Sequence, residues 1–286
     1  MIALEWRKAI IILIVSFISL NLILATNIWY REKPSNYFNL TENQQSQIEK
    51  LLEQRNVKLK ADMPEEGRAQ AFLEIRFKPI DEKKALEDFF GKNAKPQIED
   101  AEGSKSYTLD GKQLIITDNG ELTYHDNKEG KAPSTITEEK ARKEAESFLK
   151  SHGGIPEQAV LSNITYDDLN KGYLLEYNRY YEDFLIANSN ATVLVTPSGV
   201  KMYHQCWMDP IGDIGKKRSV ISPLTAIMRV VSEIKTEDPF VISDIEQGFY
   251  SKLYNADRLQ AAPVWKVALE NGDVYYVNAY TGEMEQ

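Results

Sequence analysis

The sequence has few of the residues from which covalent links and metal sites are built. A single cysteine, Cys206, occurs among 286 residues, so no intramolecular disulfide can form and a zinc site of four cysteines is excluded. The sequence contains three histidines, and 34 lysines and arginines stand against 43 aspartates and glutamates, which gives a formal charge of -9. Because binding to phosphates needs a basic surface, this charge argues against nucleic acid as a partner.

The motifs of several large enzyme classes are also missing. The sequence has no Gly-x-Ser-x-Gly elbow, Walker loop, dinucleotide fingerprint or His-Glu-x-x-His pair. His204 and Cys206 would share one face of a strand, but no further ligand lies nearby, so a packed thiol is favoured over a soft-metal site. Acidic pairs such as Asp167-Asp168 leave a glycosidase open, because its carboxylates need no motif. We predict no catalytic residue, no metal site and no cofactor.

One long hydrophobic run is present near the N-terminus. Residues 9–25 carry no charge and include three polar side chains. A helix from Trp6 to Trp29 would be about 35 Å long, close to the roughly 30 Å hydrocarbon core of a bilayer. Trp6, Trp29 and Tyr30 would then lie at the membrane interfaces. We therefore predict a transmembrane signal anchor over residues 9–30.

The flanking charges indicate how this anchor would be oriented. Arg7 and Lys8 precede the span, and the charges that follow it are mixed, so the positive-inside rule favours a cytoplasmic tail over residues 1–8. The bulk of the chain would then lie outside the cytoplasm, at the cell membrane. A cleaved signal peptide is the alternative, but the run is long for one and no good cleavage site follows it.

The span also has a polar face. Ser16, Ser19, Ile23 and Asn27 recur at steps of three and four residues, and Asn21 lies elsewhere on the helix. Helices that associate within lipid use small and hydrogen-bonding side chains of this kind. These five residues are our candidates for contact with a partner helix, although a single anchor also tolerates them without a partner.

The rest of the chain predicts an α+β fold. We expect two extracytoplasmic domains of helices packed on antiparallel sheets, over residues 35–130 and 133–286. The boundary is the charged segment 127–134, which contains glycine and proline and has no periodicity. Helices are expected to begin at Asp81, Thr137 and Ser222. Hairpin turns are expected at Asp110-Gly111, Asn119-Gly120, Pro197-Ser198-Gly199 and Asn271-Gly272.

Three of the hairpins look like copies of one helix-plus-hairpin unit. Each has a glycine in its turn and a tyrosine four residues later: Gly120 and Tyr124, Gly199 and Tyr203, Gly272 and Tyr276. The glycine would take a positive φ, and the tyrosine ring would pack on a helix with its hydroxyl towards water. Chance is the alternative, because any hairpin favours glycine and aromatic residues at such places.

Both ends of the chain resemble a known family. Trp6-Arg7-Lys8, the isoleucine run, Phe17 and Leu20-Asn21 resemble the start of the YycH/YycI family. Residues 262–286, APVWKVALENGDVYYVNAYTGEMEQ, are similar to the ends of its members and to PepSY modules. Ile136-Thr137 is similar to the start of the PepSY helix. The middle, residues 57–130, agrees only in general pattern.

The resemblance implies a regulator of the WalK/WalR (YycG/YycF) two-component system of low-GC Gram-positive bacteria. It implies a single-pass protein that pairs with a YycH-like partner, as a homo- or hetero-oligomer. Both proteins would contact a WalK-like sensor histidine kinase and set its autophosphorylation, a process tied to cell-wall metabolism. Two alternatives of other classes stay open: a PepSY-like protease inhibitor or binding protein, and an anchored cell-wall hydrolase.

Overall fold

The chain consists of two compact units, residues 1–40 and 41–286. The computed structural model describes residues 13–14, 16–21, 50, 52, 54–64, 66–128, 135–234, 238–253 and 256–285. In the first unit, the described residues are helical. Within the described ranges, no helix has both the length and the apolar character needed to cross a membrane. Most of the predicted anchor over 9–30 lies outside the described residues, so the anchor stays a prediction.

In the described part of the second unit, three helices and fifteen strands have defined ends. The helices are α1 (Glu82–Phe90), α2 (Glu138–Ser151) and α3 (Pro223–Glu233). The strands are β1 (Val57–Leu59), β2 (Gln70–Phe77), β3 (Gln97–Ala101), β4 (Ser104–Leu109), β5 (Lys112–Thr117), β6 (Glu121–Asp126), β7 (Ala159–Asp167), β8 (Gly172–Tyr181), β9 (Phe184–Thr196), β10 (Gly199–Cys206), β11 (Met208–Arg218), β12 (Phe240–Tyr250), β13 (Leu259–Leu269), β14 (Val274–Asn278) and β15 (Met284–Glu285). The predicted α+β class is confirmed.

The three helices begin where the sequence predicts. Asp81, Thr137 and Ser222 are their N-caps, and each side-chain oxygen accepts a hydrogen bond from the backbone N–H three residues later, at 3.0–3.3 Å. Pro223 takes the first position of α3, where the missing N–H would have had no partner within the helix. Local chemistry is therefore enough to set these helix starts.

The strands form one network made of two half-sheets. Its order is β11-β2-β13-β12-β9-β10-β6-β5-β4-β3, with β7 and β8 attached through β9, β14 and β15 through β13, and β1 beside β12. We call β3 to β10 the large half-sheet, and β1 and β2 with β11 to β15 the small half-sheet. The ladders of β12 with β1 and with β9 are parallel, and the other ladders are antiparallel. A two-residue ladder joins β9 to β12, with Leu185 opposite Gly248 and Ile186 opposite Phe249.

Strands from both predicted domains pair with each other. β6 lies beside β10, and β2 lies beside β13 and β11. Residues 41–286 accordingly form a single compact unit. Independent folding of the segments 35–130 and 133–286 stays a prediction. That their strands share one sheet was not predicted from the sequence, because this pairing joins residues far apart in the chain and leaves no local sequence pattern.

The three predicted hairpins have the same register. Gly120, Gly199 and Gly272 have φ values of 82°, 106° and 96°. Each tyrosine lies opposite the residue ten positions before it, which is Leu114, Val193 or Lys266. Tyr124 and Tyr203 also lie opposite each other across β6 and β10.

The tyrosines of these hairpins do not all face helices. Tyr124 and Tyr203 lie 5.9 and 5.4 Å, ring centre to ring centre, from Phe148 of α2. Tyr276 instead stacks on Tyr250 of β12 at 4.7 Å. The expected helix contact is therefore wrong for Tyr276, because its register places it beside Lys266, on the strand face opposite the one that α3 covers.

Helices α1 and α2 cover one face of the large half-sheet through an aromatic cluster. Phe89 of α1 lies 5.0 Å from Tyr124, and the His152 ring lies 4.5 Å from Phe89 and 4.0 Å from Phe148. His152 is the C-cap of α2, and its Nδ1 donates to the carbonyl of Phe148 at 2.7 Å. Burial lowers the pKa of His152, although the Phe148 carbonyl opposes this shift.

We expect His152 to make folding stability depend on pH. Because its pKa in the folded state lies below the ordinary 6.5, the unfolded chain takes up a proton first as the pH falls, and stability is lost below about pH 6.5. Thermal unfolding from about pH 7 to about pH 5 should show a smaller loss for His152→Gln than for the unchanged protein. An equal loss in both proteins would contradict this role.

The ladder between the half-sheets requires a glycine at position 248. A Cβ there would lie 2.6 Å from the carbonyl oxygen of Leu185 and 3.0 Å from its Cβ. We expect Gly248→Ala to lower the free energy of unfolding by about 1–3 kcal/mol, because the strands must separate. Gly272→Asn is the control: no atom lies within 4 Å of the added Cβ, so strain there comes from the positive φ of 96° alone, and the loss should stay at or below about 1 kcal/mol. Chemical denaturation measures both, and equal effects would show that close approach at Gly248 is unimportant.

Candidate functional site

The predicted partner-contact residues lie in the N-terminal unit. Ser16, Ser19 and Asn21 are helical and exposed. The Asn21 side-chain amide donates to the carbonyl of Phe17 at 2.9 Å, so its Nδ2 is already engaged within the helix while its Oδ1 can accept from another chain. The other predicted positions, Ile23 and Asn27, and the interface anchors Trp6, Trp29 and Tyr30 lie outside the described residues.

The described part of this helix exposes large apolar side chains. Leu13 and Phe17 are 71% and 64% exposed, and Ile14, Ile18 and Leu20 are about half exposed. Soluble domains seldom leave a contiguous apolar surface of this kind uncovered. The small polar residues Ser16 and Ser19 are three positions apart and share one side of the helix.

A second candidate surface is a cleft in the unit of residues 41–286. It has a volume of about 930 Å³ and lies between β7, β8 and β9 on one side and β12, β13 and β14 on the other. Leu175 and Val193 of the large half-sheet face the helices and are fully buried. Since side chains alternate along a strand, Glu176 and Thr192, one position away, point into the cleft. The cleft is therefore the sheet face that α1 and α2 do not cover.

An ion-pair network lies at the base of the cleft. Lys266 of β13 is buried to 85%, and its ammonium donates to Glu246 at 2.7 Å and to Asp244 at 3.2 Å. The Tyr180 hydroxyl of β8 donates to Glu246 at 3.2 Å. Burial alone would lower the pKa of Lys266, but Glu246 and Asp244 outweigh it and the pKa is raised. The network thus holds Lys266 charged and connects β8 to β12 and β13, across the two half-sheets.

A bend in β9 shapes the floor of the cleft. Asn188 has a φ of 64° in the middle of this strand, a left-handed conformation that Asn accepts more readily than most residues. Next to it, the buried Ser189 hydroxyl accepts a hydrogen bond from the backbone N–H of Met208 at 2.9 Å. The strand pairs with β12 before the bend and with β10 after it, so the bend separates the two half-sheets.

The side chains that the sequence analysis considered for metal binding or catalysis are hydrogen-bonded or buried within the fold. The His204 ring lies 3.0 Å from the Thr123 hydroxyl, and Cys206 is buried, which raises its thiol pKa to about 12. The Asp167 carboxylate accepts hydrogen bonds from Leu169 and Asn170 in a tight turn. Across the described ranges, no group of three or more His, Cys, Asp or Glu side chains could hold a metal ion.

Comparison with protein families connects this architecture to a regulator. The family model described as "YycI protein" matches residues 35–280. The chain belongs to the YycI family. Membership supports a role in regulating the YycG/WalK two-component system and points to a regulator rather than an enzyme. The resemblance to this family is confirmed over residues 35–280; the N-terminal motif from Trp6 to Asn21 lies outside the match.

A solved structure shares the fold of this YycI-family chain. A crystal structure of an uncharacterized protein from Eubacterium rectale ATCC 33656 matches with a TM-score of 0.56 and 12% sequence identity. The match covers 81% of this chain and 91% of that one, and at this identity it shows the fold alone. Comparison with curated proteins gives no match.

The cleft is absent from the sequence-based prediction because β12 is absent from it. Without β12, Asp244 and Glu246 have no assigned partner. One signal was available in the YycI-family sequence: Lys266 interrupts the apolar segment 263–269, and a lysine within a buried strand needs a carboxylate partner. Which carboxylates these are depends on the register of β12 with β13, which places Glu246 opposite Lys266.

We expect the Lys266 network to stabilise the fold around the cleft. Lys266→Met should lower the free energy of unfolding by about 2–3 kcal/mol, because Glu246, which is only 25% exposed, would be left without its cation. Adding Glu246→Gln to Lys266→Met should recover part of that loss. Denaturation of the two single variants and the double variant measures the coupling, and strict additivity would show that the pair contributes nothing.

Proposed function

We propose that this chain is a single-pass regulator in the cell membrane, with a cytoplasmic N-terminus and its bulk outside. Its N-terminal helix, together with a YycH-like partner, would contact the membrane helices of a WalK-like sensor histidine kinase and set its autophosphorylation. Cell-wall metabolism would respond through that kinase. The YycI family match over residues 35–280 carries the proposal.

The exposed helix of the first unit supports a helix-contact mechanism. Leu13 and Phe17 expose most of their side chains, and lipid would cover such residues. Ser16, Ser19, Ile23 and Asn27 would form the side that meets a partner helix, because small and polar residues allow close approach within lipid. A regulator of this kind shifts the kinase only by binding one helix arrangement better than the other.

Replacing residues 9–25 by an unrelated apolar helix of equal length tests the helix contact. We expect the replaced protein to remain in the membrane fraction while kinase autophosphorylation changes to the level measured without the regulator. Immunoblotting of membrane fractions and phosphate transfer in native membranes measure the two effects. Unchanged kinase output with the replaced span would overturn the mechanism.

A finer variant tests the proposed face. Each interhelical hydrogen bond in lipid contributes about 0.6–2 kcal/mol, so Ser16→Leu with Ser19→Leu should weaken capture of the kinase about 3- to 30-fold for each hydrogen bond that the change removes. Ile14→Leu with Ile18→Leu is the matched control, because it changes shape on the same helix without removing a hydroxyl. Crosslinking in the native membrane measures capture, and equal losses in both variants would argue against this face.

A further inference from the structure

The cleft between the half-sheets has polar groups that the fold leaves unused. Asn178 of β8, and Asn188 and Asn190 of β9, line it and are half-buried. Their side-chain amides make no hydrogen bond to any part of the chain that the structure describes. Asn178 and Asn190 lie directly opposite each other across β8 and β9. Two neighbouring amides therefore present donors and acceptors to the interior of the cleft.

Unpaired side-chain amides suit the backbone of another polypeptide. Each carboxamide offers two donors on its nitrogen and an acceptor oxygen, which matches the donor and acceptor of one peptide unit. These amides are half-exposed, so water hydrates them in the free protein, and a bound backbone would take the place of that water. The floor of the cleft is therefore suited to an extended peptide segment.

The charge of the cleft indicates which peptide it would take. Four carboxylates line it, from Glu176, Asp244, Glu246 and Glu270, and one ammonium, from Lys266. Glu270 is paired with Lys60, which lies outside the lining. Lys266 is already engaged by Asp244 and Glu246. The Glu176 carboxylate accepts one side-chain hydrogen bond, from Asn163 at 3.2 Å, and pairs with no cation among the described residues. The cleft therefore favours cationic side chains.

The rims of the cleft add apolar contact. Val160 of β7 is 50% exposed and Val274 of β14 is 44% exposed, and both line the cleft. The Tyr276 ring, stacked on Tyr250, lies on the same side as Val274. Lysine and arginine carry long apolar stems below their charges, so these rims could contact the stems while the carboxylates bind the charged ends.

We propose that the cleft binds an extended, basic peptide segment of a partner protein. The amides of Asn178 and Asn190 bind its backbone, and the Glu176 carboxylate attracts its lysine or arginine side chains. The volume of about 930 Å³ is at the upper end of what ligand sites enclose, which is enough for several residues of an extended chain. This site is separate from the helix contact and does not depend on it.

Fluorescence anisotropy with the full-length protein in detergent tests the proposal. The probe is a labelled peptide of alternating lysine and serine, and a glutamate and serine peptide is its matched opposite. We expect saturable binding of the lysine peptide that weakens with added salt, and no binding of the glutamate peptide. Binding of the glutamate peptide with similar affinity would overturn the charge argument.

Variants locate the binding. Asn178→Ala with Asn190→Ala should weaken binding of the lysine peptide about tenfold or more, and so should Glu176→Gln, which keeps the shape of the side chain. Glu99→Gln with Asp100→Asn is the control, because these exposed carboxylates lie on the edge strand β3, which does not line the cleft. An equal loss in this control would show that the peptide binds through the negative charge of the whole protein, and this result would overturn the proposed site.

A competition experiment separates the peptide from a carbohydrate, which also uses amides and tyrosine rings. A neutral chitooligosaccharide should fail to displace the lysine peptide. Displacement by the sugar, with the loss of both ligands in Asn178→Ala with Asn190→Ala, would overturn the proposal in favour of a glycan. Circular dichroism and thermal unfolding of every variant confirm that lost binding is not lost folding, and Glu176→Gln decides the matter if the double alanine variant unfolds.

Discussion

The contact between β9 and β12 is the constraint on which the second unit depends. A ladder of two residues joins two half-sheets, and only a glycine at position 248 allows the backbones to come this close. Below the ladder, Phe184 and Ile186 pack with Phe249 in a buried cluster. On the other side, the Lys266 network connects β8 with β12 and β13. The two half-sheets are held together by this short ladder, by apolar packing on one side and by ion pairs on the other. They are joined over so few residues that the cleft stays open between them.

That opening gives the two faces of the large half-sheet different roles. One face is closed by α1 and α2, with Phe89 and Phe148 packed against Tyr124 and Tyr203, and it supplies the hydrophobic burial that stabilises the fold. The other face has asparagine, threonine and glutamate at alternating positions. The polar side chains at these positions are half-buried or exposed and lie outside the hydrophobic clusters, so they are available for recognition. A sheet covered on one face in this way is typical of α+β proteins.

The sequence was most informative where structure is local. The caps at Asp81, Thr137 and Ser222 and the turn glycines of three hairpins predict elements at the right places, because capping and turn conformation depend on a few neighbouring residues. The strands β3, β7, β11 and β12 were not predicted. β3 is exposed throughout and β11 contains proline and two glycines, so neither shows the alternation that marks a strand. These strands pair with residues far away in the sequence, and the cleft depends on that pairing. The polar face proposed for the N-terminal helix, in contrast, follows from the spacing of its residues alone.

If the proposed helix contact and the proposed peptide site both operate, they carry a signal only if the two are coupled. Coupling is reciprocal in binding free energy: a peptide in the cleft alters the helix contact by the same factor by which the kinase alters peptide binding. The physical element that could supply two arrangements is the short junction at Gly248, because a ladder of two residues joins the half-sheets there. A rotation would require Phe184 and Ile186 to repack against Phe249. If peptide affinity in native membranes were identical with and without the kinase, the cleft would be a docking site for a partner and not an input for a signal.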